Sequence, residues 1–189
     1  MTGRLEDGLG PAVRELRLRR HLSTHALARL AGISQALISK VENGRVLPSV
    51  PALYAIAEAL GVGPADLLPA GGDEPVPTGH GVPLPASEAG ASAPVATHLL
   101  HAAPSRRIEA YRVEHSAGHR DETPFQHSGE DIIHVLEGRV TLLYGHAHLE
   151  LSTGDTMWID GMTPHSFLTP RSTGVTALIM TARADIAQR

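Results

Sequence analysis

Between Leu22 and Gly44 the chain reads LSTHALARLAGISQALISKVENG, and Ser34, Gln35, Ala36, Ser39 and Lys40 are the residues there suited to surface chemistry. Glutamine can grip adenine through two hydrogen bonds in the major groove of DNA, and serine can bond base edges or phosphate oxygens. For that chemistry the side chains must face outward on a short, firmly anchored element. Leu37, Ile38 and Val41 supply the inward anchor, so Ser34, Gln35, Ala36 and Ser39 point away from the core. Thr24, opening the preceding short helix, is placed to touch a phosphate, and Lys40 and Arg45 add charge at the flank. No acidic residue lies between Ser34 and Val41, where one would repel phosphate.

The elements that must position these residues are helical. Pro11 suits a first helical position, with Val13 and Leu16 following at helical spacing. Ser23 is an N-cap for a helix carrying Leu27 and Leu30, and Ser34 caps the next. Gly44 ends that helix in the left-handed region. Ser49 opens another with Leu53, Ile56, Ala57 and Leu60, and Pro64 to Leu68 adds a last turn. Five short helices are predicted. From Pro69 to Pro94 proline and glycine dominate, without helical or alternating periodicity, which reads as a linker. Beyond it, Ile132–Leu136, Val140–Tyr144, His148–Leu151, Thr156–Ile159 and Val175–Thr181 are short apolar runs. Turn signals separate them, among them Glu137-Gly138 and Thr153-Gly154-Asp155, as in a β-barrel or sandwich. The predicted organisation is multidomain: an all-α unit over 1–69, a linker over 70–94 and an all-β unit over 95–189.

Charge follows the same division. Pro11 to Arg45 holds seven cations against Glu15 and Glu42, a net of +5 in a chain whose formal total is −4, so the rest carries −9. A basic module joined to an acidic one implies that the first alone meets a polyanion. The 189 residues contain no cysteine, which excludes disulfides and thiolate metal sites. No apolar run is long enough to span a bilayer, and Met1 to Gly10 is unlike a secretory signal. A cytoplasmic bacterial protein with no membrane partner is expected.

The region from about Leu9 to Leu68 resembles the Cro/repressor-type (XRE) helix-turn-helix family, of the λ-repressor-like fold. LARLAGIS, Ile38-Ser39, Val41-Glu42-Asn43-Gly44, Pro48 and ALYAIAEALGV carry the match. The resemblance implies a double-stranded DNA operator as partner. It also implies that Glu42 pairs with Arg17, which makes Arg17 a structural ion-pair partner rather than a DNA contact.

TPFQHSGEDIIHVLEGRV and STGDTMWIDGMTPHSF resemble the two motifs of the cupin family, whose fold is a double-stranded β-helix or jelly-roll barrel. Family barrels often hold a divalent metal with two histidines and a glutamate from the first motif and a histidine from the second. Carried over, those positions fall on Phe125, His127, Asp131 and His165. Phe125 replaces the first histidine and Asp131 the glutamate, while Glu130 has the opposite strand parity and should point out. The resemblance therefore leaves His127, Asp131 and His165 as ligands for one divalent metal: Fe(II), Zn or Ni. The alternative is a metal-free organic-ligand pocket lined by Phe125, His127, Asp131 and His165, and Phe125 favours it. His146 and His148 read as solvated at a hairpin tip, His134 as facing away from Asp131, and His115 and His119 as loop residues. Trp158 and Tyr111 read as packing residues.

Two functions remain in play. The first is a transcriptional regulator, acting as a homodimer, whose barrel binds a small-molecule effector and biases DNA binding. The second is a non-haem iron(II) enzyme, because the iron-dependent epoxidase family that forms fosfomycin has the same domain order. Its histidine, glutamate and histidine ligands fall on His127, Asp131 and His165. This sequence departs from that family elsewhere. His21 stands near the place of its helical-domain lysine, and Arg106-Arg107-Ile108-Glu109 replaces its tyrosine-rich first strand. Unlike that family, this chain keeps a polar reading face at Ser34 and Gln35. The regulator is the favoured reading, with no catalytic residue assigned.

Overall fold

The computed structural model describes residues 5–68, 76, 81–84, 95–101, 107–121 and 123–182. The helical unit comprises α1 (Leu5–Arg19), α2 (Thr24–Ala31), α3 (Gln35–Glu42), α4 (Val50–Ala59) and a 3-10 turn over Pro64–Leu67. The five predicted helices are thus four α-helices and one 3-10 turn. Pro11 lies inside α1 instead of opening it. The reason is upstream: Leu9 is buried one turn before Val13, so the apolar stripe begins ahead of the proline. At Gly10 a Cβ would stand 2.6 Å from the Val41 carbonyl oxygen, so the absence of a side chain lets α1 approach α3 closely.

Both caps predicted for the middle helices form. Ser23 Oγ accepts from the Ala26 amide at 3.0 Å, and Ser34 Oγ from the Leu37 amide at 3.1 Å. Gly32 and Gly44 take the left-handed conformation, at φ 65° and 64°. Leu27, Ile38, Val41, Leu53, Ile56 and Leu60 form the buried core of the unit. Leu30 is 56% exposed, because the interior side of α2 is taken by Leu27 and Ala28.

The second unit is antiparallel throughout. Its strands are β1 (Val82–Leu84), β2 (Val95–His101), β3 (Ile108–His115), β4 (Glu130–Tyr144), β5 (Ala147–Ser152), β6 (Thr156–Asp160), β7 (His165–Leu168) and β8 (Val175–Ala182). They run in the order β1-β2-β3-β8-β4-β5, with β6 and β7 also paired to β4. Its core is Ile133, Val135, Val140, Leu142, Leu151, Ile159, Val175 and Ala177.

Three expectations change here. The two runs on either side of Glu137-Gly138 belong to one strand, β4, which bends there with a register shift against β8. Gly138 sits at φ 89°, and a Cβ on it would lie 2.0 Å from the Gly174 carbonyl oxygen, so the bend requires glycine. Within the presumed linker 70–94, β1 pairs with β2 in the register Val82↔Leu99 to Leu84↔Thr97. Three residues are too few to show a periodicity, and an edge strand tolerates Pro83. The rest of that linker, apart from Val76 and Gly81, lies outside the described residues, as do Arg106 and residues 183–189. Finally, His115 is not in a loop but ends β3 facing inward, and His119, in the loop that follows as expected, is buried beside it, with ring centroids 4.1 Å apart.

Candidate DNA-reading surface and metal centre

On the helical unit, Gln35, Ala36, Ser39 and Lys40 are exposed on α3, with Arg45 exposed just beyond it. Thr24, half-buried at the start of α2, accepts a hydrogen bond on Oγ1 from Gln35 Nε2 at 3.1 Å. That bond joins the first residues of the two helices and holds the glutamine amide at the surface. Ser34 spends one acceptor on its own helix, as the cap described above, and keeps its hydroxyl proton for a partner. Arg17 and Glu42 meet as a fork, Nε to Oε1 at 2.5 Å and Nη2 to Oε2 at 2.9 Å. Arg17 Nη1 also donates to the Leu22 carbonyl at 2.8 Å. The Glu42 hydrogen bond raises the arginine pKa above its ordinary value, so this pair ties α1 to the end of α3.

In the barrel, His127 precedes β4, Asp131 is its second residue and His165 opens β7; all three are buried. One donor atom from each lies within 4.8 Å of the others. His127 Nε2 stands 2.9 Å from Asp131 Oδ2, and His165 Nε2 stands 4.0 Å from the same oxygen. Glu130, by contrast, is exposed, as its parity requires.

The surroundings fix these atoms. His165 Nδ1 faces the Thr163 carbonyl at 2.9 Å and His127 Nδ1 the Ser128 carbonyl at 3.3 Å, so each ring donates there and turns Nε2 inward. Thr181 Oγ1 donates to Asp131 Oδ1 at 2.6 Å, leaving Oδ2 for the centre. Once the proton shared by His127 Nε2 and Asp131 Oδ2 is displaced, two imidazole lone pairs and one carboxylate oxygen converging in a buried site are a donor set that fits a divalent cation. Among the described residues this is the one such cluster of three.

Electrostatics separates the two histidines. Burial opposes charge on His127, but the hydrogen bond and charge of Asp131, the Ser128 carbonyl and Glu109 outweigh it and raise its pKa. Burial lowers the pKa of His165 and its neighbour His127 adds to this, against the Thr163 carbonyl, Asp131 and Asp121. Phe125 packs on both rings, with centroids 5.1 Å from His127 and 5.7 Å from His165. Paired hydrogen bonds of 2.7 and 2.9 Å join its backbone to that of His165. Gly161 closes the other side: a Cβ there would lie 2.6 Å from His127 Cε1.

Several residues of the centre escaped the sequence reading. Glu109 is fully buried on β3 and accepts from the Tyr111 hydroxyl at 2.6 Å, so Tyr111 is more than a packing residue. Strand register sets Glu109 beside Thr181 and Thr181 beside Asp131, a polar row across the inner face. The available signal was parity: Glu109 shares its strand face with Tyr111, Val113 and His115. His119 Nε2 lies 3.0 Å from Asp121 Oδ1, and Asp121 Oδ2 accepts from the Phe167 amide at 2.8 Å. His146 and His148 are exposed, as expected. Trp158 is exposed as well, contrary to its reading as a packing residue.

Residues 9–70 match the family described as "Helix-turn-helix domain" and residues 111–181 the family described as "Cupin domain". The chain is 29% identical to the HTH-type transcriptional regulator PuuR of Escherichia coli (strain K12) over 171 residues, 86% of this chain and 89% of that one. The crystal structure of an HTH_3 family transcriptional regulator from Vibrio cholerae superposes with a TM-score of 0.67 at 20% identity, covering 95% of this chain and 97% of that one. At that identity the likeness establishes the fold. Hydroxypropylphosphonic acid epoxidase from S. wedmorenis aligns over 96% of this chain and 100% of its own, at 22% identity and a TM-score of 0.48, too loosely to bear on function. No helix among the described residues is long and apolar enough to cross a membrane. The chain therefore joins an N-terminal segment that matches the helix-turn-helix domain family to a C-terminal segment that matches the cupin domain family.

Proposed function

We propose that the protein is a sequence-specific DNA-binding transcriptional regulator whose cupin barrel binds a small-molecule effector. The observation that carries this reading is the exposed start of α3, where Gln35 is held by Thr24 and no acidic group competes with phosphate. Similarity to a transcriptional regulator over most of the chain supports it. In this reading Gln35 and Ser39 face base edges, Ala36 lets the helix approach the groove, and Thr24, Ser34, Lys40 and Arg45 contact phosphates. A homodimer reads a two-fold-related, double-stranded operator in the cytoplasm, with half-sites about one helical turn, roughly 34 Å, apart.

His127, Asp131 and His165 would hold one divalent ion, with Fe(II), Zn and Ni as candidates. Such an ion supplies a Lewis-acid position for an effector's oxygen or nitrogen donors. Phe125 then forms an apolar wall and Glu109 with Tyr111 a polar one. A second reading, an iron-dependent oxidoreductase, is favoured by one observation, the buried pair of histidines with a carboxylate.

The deciding measurement is a fluorescence-anisotropy titration of the full chain against a duplex selected from a random pool and its scrambled counterpart. A preference of about 1000-fold or more is expected for a specific reader. Equal affinity for both duplexes would overturn the regulator and leave the oxidoreductase as the reading to pursue.

A further inference from the structure

On the barrel, the sheet face turned away from the core carries a pattern that the effector centre does not use. Register aligns Ala110 of β3, Met180 of β8, Ile132 of β4 and Trp158 of β6 in one row across four strands. Outward positions of a half-buried sheet are ordinarily polar. Here Trp158 is 57% exposed and Ile132 40%, and Ile108 and Leu136 on the same face are exposed too. Trp158 is held rather than loose, since its Nε1–H donates to Glu130 Oε2 at 3.4 Å across the strand pair. A fixed, exposed aromatic beside aliphatic neighbours is the usual centre of a protein interface.

Charge says what covers it. On one side of the apolar row stand Glu130 and Asp160, in register with each other; on the other stand His134 and Arg112, the arginine already paired with Glu114 of its own strand, which leaves His134 as the group that can meet a carboxylate. An anionic membrane or nucleic acid would meet two carboxylates there. A second copy of the same face, turned about a two-fold axis lying along the row, keeps Trp158 over Trp158 and exchanges the two flanks. Glu130 of each copy then faces His134 of the other, and the face is complementary to itself.

We propose that this face, with Trp158 and Ile132 at its centre, is where two copies of the chain dock. The inference rests on the dimeric regulator reading and gives it an interface.

Trp158 is the chain's single tryptophan, so its fluorescence reports the face directly. The full-length protein is followed by sedimentation velocity and tryptophan emission across a thousand-fold concentration range. We expect a dimer, with emission moving to shorter wavelength as it forms. Ile132→Glu should raise the dimer dissociation constant at least ten-fold while the far-UV circular dichroism stays that of wild type. Glu130→Arg should weaken the dimer, and adding His134→Glu should restore it, which loss of folding would not do. A dimer whose tryptophan emission is independent of concentration and which survives Ile132→Glu overturns the proposal and leaves the regulator reading intact. So does a monomer that still prefers its selected duplex. Loss of that preference in the wild type is a different failure, that of the regulator reading itself.

Discussion

Asp131 divides its two oxygens between different tasks. Thr181 occupies Oδ1, so Oδ2 is the atom presented to His127 and His165. His127→Ala or His165→Ala is expected to abolish binding of one equivalent of anaerobic Fe(II), measured by dialysis and metal analysis. Thr181→Val should weaken it about 10- to 100-fold while every donor remains, as is usual for partners that orient a ligand. Full metal binding in Thr181→Val would remove that orienting role. His115 offers a separate measurement. Burial, aided by repulsion from His119 and opposed by Asp121, lowers its pKa to about 4 from 6.5. Its folded-state pKa lies below the unfolded one, so between pH 6.5 and 4 the unfolded chain binds the extra proton. Stability is therefore full above pH 6.5 and lost as pH falls towards 4, by roughly 3 kcal/mol for this group. Urea denaturation at stepped pH should show that slope, and His115→Leu should flatten it.

At the scale of elements, α3 concentrates the functional argument into one turn of helix. Gln35→Ala should cost about 1–3 kcal/mol on the preferred duplex and relax discrimination at one base position. Thr24→Val removes the hydroxyl that holds Gln35 and should reproduce part of that loss of discrimination. Ser34→Ala should lower folding stability by about 1 kcal/mol through loss of the cap, read from thermal melts. Most of this was legible in the sequence because it is local: Ser23, Ser34 and Gly44 act within one turn of themselves. His127, Asp131 and His165 were legible through motif resemblance, and the structure brings all three together. What remained hidden depends on pairings distant in sequence. Glu109 joins the centre only because β8 lies between β3 and β4, an order that periodicity cannot reveal. The four-residue β7 and the three-residue β1 are too short to announce themselves, and Pro11 misled because interior proline normally costs a helix one backbone hydrogen bond, whereas here the burial of Leu9 carries α1 through it. Trp158 was misread because its run fits a strand equally well with either face inward.

For the whole molecule, the division of charge sets how DNA is held. Lys40→Ala should weaken selected and scrambled duplexes about equally and reduce the slope of log K against log salt by roughly one if Lys40 makes the phosphate contact proposed for it. If occupancy of the barrel alters DNA affinity by some factor, DNA must alter affinity for the occupant by the same factor, and paired titrations with Fe(II) can check this. The bend in β4 sets how the centre is assembled. From Asp131 to Tyr144 the strand has a contour of about 43 Å at ~3.3 Å per residue. Yet Tyr144 pairs with His165, whose Nε2 lies 4.0 Å from Asp131. One strand thus folds back on itself at Gly138, so that its first limb carries Asp131 and its second pairs with the strand of His165, and the centre is assembled across a single bent strand.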